Sequence, residues 1–102
     1  MATSTLHSPN KWTYITDVNN ANNNITVPIS SLSNYDEIML CLVSTDTCLA
    51  TTVVKTRFIT TNSFRVQASY RNDSGTLRSV DYDPNTEKLG VTANYYGVMY
   101  GK

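Results

Sequence analysis

Alternation with a period of two dominates the middle of this chain. Phe64, Val66, Ala68 and Tyr70 fall on one side of the period and Arg65, Gln67 and Ser69 on the other, the spacing of a half-buried strand. The pattern predicts a strand over 63–70. Asn72-Asp73-Ser74-Gly75 follows, a turn whose glycine can take positive φ, and alternation resumes over 76–82 through Arg78, Val80 and Tyr82. Together these segments read as a β-hairpin.

Upstream, 37–43 reads EIMLCLV, a nearly continuous apolar run expected of a central strand buried on both faces. Its partner is 48–60, where Val53, Val54, Ile59 and several Thr raise strand propensity, with a bend near 55–57. Pairing through a loop at Ser44 and Thr45 would set Cys41 opposite Cys48. With two cysteines and no leader, free thiols are expected rather than a bridge.

A first strand is expected over 11–16, with Trp12 and Tyr14 on one face, and then an Asn-rich loop over 19–24. A second strand, 25–29, contains Pro28, which cannot donate a ladder bond, so this strand sits at an edge or ends there. Asp83-Pro84-Asn85 is a turn, 88–91 a short strand and 95–100 the last one. No convincing amphipathic helix is visible. About eight short strands predict an all-β fold, an antiparallel β-sandwich or jelly-roll-like barrel. The 102 residues suit one domain over 11–102, preceded by an arm over 1–10.

Only 16% of the residues are charged, so Thr, Ser and Asn supply most of the polar surface, as suits strands and turns. Eight basic residues balance eight acidic ones, which removes the positive field of a nucleic-acid binder. No stretch is apolar enough for a membrane span or a signal peptide, so synthesis in the cytosol is expected. The Asn24 and Asn72 glycosylation triplets carry no weight without a secretory signal.

No catalytic constellation is visible in the sequence, and the chain is expected not to be an enzyme. His7 stands alone in the polar arm, without the rigid shell a triad needs. Glycine-rich phosphate loops and metal or nucleophile motifs are absent, and no cofactor or metal is implied. Asp81 and Asp83 share a strand face and could hold calcium or pair as acid and base. Turn chemistry ahead of Pro84 is the preferred reading.

Seven tyrosines and one Trp are the richer signal, since aromatics with polar tips suit interfaces and sugar platforms. Alternation sets Tyr96, Val98 and Tyr100 towards the core and Tyr95, Gly97 and Met99 outwards, where an exposed Tyr and Met suit a subunit contact. Trp12, Tyr95, Met99 and Tyr100 are the candidate surface or interface residues.

Three features occur in order: Trp12 in the first strand, the Pro-containing Ile25-Thr26-Val27-Pro28-Ile29, and Leu32-Ser33-Asn34-Tyr35-Asp36-Glu37-Ile38 leading into a buried strand. The chain then ends on Tyr95-Tyr96-Gly97-Val98-Met99-Tyr100. This order resembles small β-sandwich modules of tailed-phage virion proteins, found in tail fibres, receptor-binding heads and minor structural proteins. The resemblance implies a virion component made in the host cytoplasm that is homo-oligomeric, a trimer among the options, and held by other virion proteins. It further implies assembly or adhesion to a host glycan or protein, by rigid display of a surface. The alternative is a carbohydrate-binding β-sandwich module.

Overall fold

The hairpin expected in the middle of the chain runs from Val66–Arg71 to Leu77–Asp83, and its turn is built by one side chain. Asn72 Oδ1 accepts from the Ser74 and Thr76 backbone N–H groups at 3.1 and 2.8 Å, while Gly75 takes φ +82°, as glycine alone does without strain. Val66, Ala68, Val80 and Tyr82 are buried, whereas Phe64 precedes the strand and is 58% exposed.

The structure is a computed structural model describing residues 11–19, 24–62 and 64–102. The expected arm over 1–10, with His7, and positions 20–23 of the Asn-rich loop lie outside the described residues. In chain order the elements are β1 (Thr13–Asn19), β2 (Ile25–Thr26), α1 (Ile29–Leu32), β3 (Glu37–Ser44) and β4 (Thr47–Lys55). Then come α2 (Thr56–Asn62), β5 (Val66–Arg71), β6 (Leu77–Asp83), β7 (Lys88–Val91) and β8 (Tyr96–Gly101).

Two four-stranded antiparallel sheets result, ordered β1-β8-β3-β4 and β2-β7-β6-β5. The protein is an all-β sandwich. Between the sheets lie Val18, Ile38, Leu40, Leu42 and Met99 from the first, and Val66, Ala68, Val80, Tyr82, Leu89 and Val91 from the second. Burial of these side chains is the main stabilising term, about 1.5–3 kcal/mol for each large one.

Several expectations shift. The 25–29 strand stops at Thr26, an edge position as Pro28 requires, and Pro28 instead precedes α1. The 48–60 strand ends at Lys55 and becomes α2. Thr56 and Ile59, three apart, are both buried while Arg57 and Phe58 are exposed, so a helical turn reaches the core where a straight strand could not. The first strand is Thr13–Asn19, leaving Trp12 just outside it. Strand β3 is interior to its sheet but β4 is an edge. Cys41 pairs with Thr51, and Cys48 with Val43.

The last strand is out of phase with its expected facing. Gly97, Met99 and Gly101 point inwards and are buried, while Tyr96, Val98 and Tyr100 point out. The glycines explain the reversal: a Cβ at Gly97 would overlap Val80 Cγ2, and one at Gly101 would overlap the Tyr35 ring. Tyrosines on that side would drive the sheets apart.

Two tests follow from this packing. Gly97→Ala should lower stability by about 1–3 kcal/mol in denaturant titration, as overpacking does, and Val80→Ala should recover part of that loss; a neutral Gly97→Ala contradicts the contact. Tyr82 donates its buried hydroxyl to the Val27 carbonyl at 2.6 Å, and burial, then Glu87 and Asp83, push its pKa up to about 12. The neutral phenol's contribution is therefore complete below pH 10 and lost as pH rises from about 10 to 12. Tyr82→Phe should cost about 1–2 kcal/mol at neutral pH and flatten that alkaline decline.

Candidate interaction surface

The outer face of the β1-β8-β3-β4 sheet is unusually apolar for a sandwich exterior. Register places Tyr14, Tyr100, Met39 and Val53 in one row across the four strands. The next row is Asp17, Val98, Cys41 and Thr51, and the one beyond is Asn19, Tyr96, Val43 and Cys48. Tyr14, Val53 and Tyr96 are 56%, 49% and 47% exposed, so the face is open to solvent. Outward residues of a solvated antiparallel sheet are normally polar.

The geometry of β1 depends on an irregularity. Its pairing with β8 slips between Tyr14 and Thr16, so Ile15 packs against the core while Tyr14 stays outside. A bulge aims side chains in this way. Tyr14 and Tyr100 then meet edge-on, centroids 6.3 Å apart and planes at 77°. Partial burial and the neighbouring Asp17 carboxylate raise the Tyr14 pKa.

A charged cluster closes one end of the face. Lys55 Nζ lies 2.9 Å from Glu37 Oε2 and Lys102 Nζ 3.6 Å from Oε1. The Lys55 hydrogen bond, opposed by partial desolvation, holds the Glu37 carboxyl below its ordinary range. Lys102 also sits 5.0 Å from the centroid of the Trp12 ring, a cation–π contact that occupies one face of the indole.

Of the sequence-predicted surface residues, Trp12 and Tyr100 belong to this outer face. Tyr95 lies in the β7–β8 turn, half-buried against the core, with the Arg78 guanidinium 5.6 Å from its ring centroid. Met99 is fully buried and cannot contact a partner, a correction that follows from the phase of β8. The residues the sequence reading missed are Tyr14, Met39, Val43, Val53, Tyr96 and Val98. The signal was present in 37–43, whose odd and even positions are both apolar; the second set covers an outer face and not a second core.

On the other sheet, Arg65 bridges Asp81 and Asp83 at 3.5 and 3.0 Å. With Asn24, Thr86, Lys88 and Gly90 they line an open depression of about 440 Å³. The Asn85 backbone N–H, then Arg65, hold Asp83 below the usual carboxylate range, so it is a poor general acid at neutral pH. A calcium ion would have to displace the guanidinium. Among the described residues no three His, Cys, Asp or Glu side chains converge as a metal site. No family model, curated protein or solved structure matches this chain.

The Glu37 pairings predict an acid dependence. A lowered folded pKa means stabilisation that is present above the ordinary carboxylate range and lost as pH falls through the Glu37 value. Glu37→Gln should flatten the acid limb of a stability–pH profile measured by urea unfolding; an unchanged limb assigns the dependence elsewhere.

Proposed function

We propose that this protein is a non-enzymatic structural module that assembles through the outer face of its β1-β8-β3-β4 sheet, in the virion setting implied by its resemblance to phage β-sandwich modules. The single observation that carries the reading is the open apolar face itself, with Tyr14, Val53 and Tyr96 each about half exposed. Isolated exposed apolar residues are ordinary, but contiguous patches mark interaction sites.

A second copy fits this face. A two-fold axis parallel to the strands and running between β8 and β3 would lay each copy's β1-β8 half on the other's β3-β4 half. Tyr100 would then meet Met39, Tyr96 would meet Val43, and Tyr14 would meet Val53, aromatic on aliphatic throughout. Lys102 would fall near Glu37 of the other copy. A two-fold across the strands would instead bring Asp17 onto Asp17, a like-charge contact that costs energy.

Four strands at about 4.8 Å spacing and about six residues at about 3.4 Å along each make a face on the order of 400 Å², well short of the ~800 Å² per partner of a standard stable interface. Single contacts of this size are weak. Display in an array suits such contacts, because repetition raises avidity without new chemistry. The carbohydrate-binding alternative is less well supported: Lys102 takes one face of Trp12, and the Tyr14 and Tyr100 rings, 77° apart, form no flat stacking platform.

Sedimentation velocity over a concentration series tests the reading. The chain should self-associate, and Val53→Arg or Tyr100→Arg should weaken association at least tenfold without changing the thermal midpoint by more than a few degrees. A chain that stays monomeric at every concentration, yet is retained by immobilised oligosaccharides through Trp12, overturns it.

A further inference from the structure

The two cysteines come together through a slip in the β3–β4 ladder. From Glu37–Lys55 to Leu42–Ala50 the register is regular, and it then jumps so that Val43 pairs with Cys48. In the regular register, positions 50, 52 and 54 face inwards with Leu42, Leu40 and Ile38, which would place Leu49 outside and Cys48 inside. The extra residue reverses both. Leu49 packs against the core, and Cys48 emerges exposed on the outer face that already carries Cys41.

On that face one hydroxyl joins the two sulfurs. Thr51 Oγ1 lies 3.2 Å from Cys48 Sγ and 4.0 Å from Cys41 Sγ, and Cys48 is near enough to act electrostatically on Cys41. Both are free. Their environments differ: Cys41 is 8% exposed, and burial raises its thiol pKa, whereas Cys48 is open to solvent. The pair sits beside the two-residue turn at Thr45 and Asp46, where Thr45 holds φ +55°. Both sulfurs lie within reach of one hydroxyl, and closing a disulfide between them requires a backbone adjustment that brings the Cα atoms to bridging distance.

We propose that Cys41 and Cys48 form an oxidisable dithiol that closes to an intramolecular disulfide on reaction with a small-molecule disulfide such as glutathione disulfide. Exposure sets the order of events. Cys48 gives up its proton to solvent, and its thiolate attacks one sulfur of glutathione disulfide. The S–S bond of the oxidant breaks, a glutathione thiolate leaves and takes up a proton, and Cys48 carries a mixed disulfide. Cys41 then loses its proton, attacks Cys48 Sγ, and expels the second glutathione, which is protonated in turn. Two protein thiols are oxidised and one glutathione disulfide is reduced to two glutathiones. The two thiols lie on the face that the proposed assembly would cover, so the chemistry is that of the unassembled chain and can succeed where the assembly reading fails.

The experiment treats the full chain with glutathione disulfide and follows free thiols, intact mass and thermal midpoint. The expected result is loss of both thiols without retained glutathione, at a mass lower by two hydrogens. The thermal midpoint should rise by about 5 °C, with closure speeding up as pH climbs and the buried Cys41 deprotonates. Cys41→Ser should stop at a single mixed disulfide on Cys48. Cys48→Ser, a change at an exposed site, should leave the fold intact and Cys41 at least tenfold slower to react than Cys48. A wild-type chain that accumulates the mixed disulfide at every pH, or links only between molecules, overturns the proposal.

Discussion

The close approach of the two sheets over strand β8 is the constraint on which the rest of the molecule depends. This strand lies between β1 and β3, and its inward residues are Gly97, Met99 and Gly101. The missing Cβ atoms let Val80 and the Tyr35 ring descend onto the backbone. Met99 fills the space left between them. The close approach of the sheets at this point follows from that fit. So does the facing of Tyr96, Val98 and Tyr100, which are outward because the inner positions 97 and 101 have no room for a side chain.

An apolar outer face is thus partly a consequence of core packing. The inner positions of β8 are fixed by sterics, and its tyrosines are delivered to the exterior. Yet sterics do not require Met39, Val43 and Val53 there as well, since neighbouring strands could carry Thr or Lys at no cost to the core. Their presence beside the tyrosines is what makes the face contiguously apolar. The charged end formed by Glu37, Lys55 and Lys102 then limits how far such a surface extends.

Much of the fold was legible because period-two patterning is a local signal. The Val66–Asp83 hairpin and the short Lys88–Val91 strand could be placed from alternation and turn chemistry alone. What escaped has a physical reason in each case. The α2 turn is rich in β-branched residues, so propensity pointed to a strand while the need to bury Ile59 decided otherwise. Ladder slips at Ile15 and Leu49 add one residue to one strand, and no alternation pattern announces which partner it will slip against. The phase of β8 depended on a contact with Val80 and Tyr35 far away in sequence. Most of the apolar outer face was missed for the same cause: a run apolar on both faces reads as doubly buried until the neighbouring layers are known.

Strand β8 pairs with β1 across about eighty intervening residues, whereas β5, β6 and β7 are joined by tight turns. Loop-closure entropy grows as about (3/2)RT ln n, so the β1–β8 pairing costs about 2–3 kcal/mol more than closing a short hairpin. The two halves of the sandwich are therefore unequal in their chain logic. One sheet is mostly local and can take shape from neighbouring segments, while the other, which bears the apolar face, is completed only when distant parts of the polypeptide meet. The β8 tyrosines meet the aliphatic residues of the local β3–β4 hairpin only when that long connection closes, so the apolar face is complete only where the core beneath it is closed.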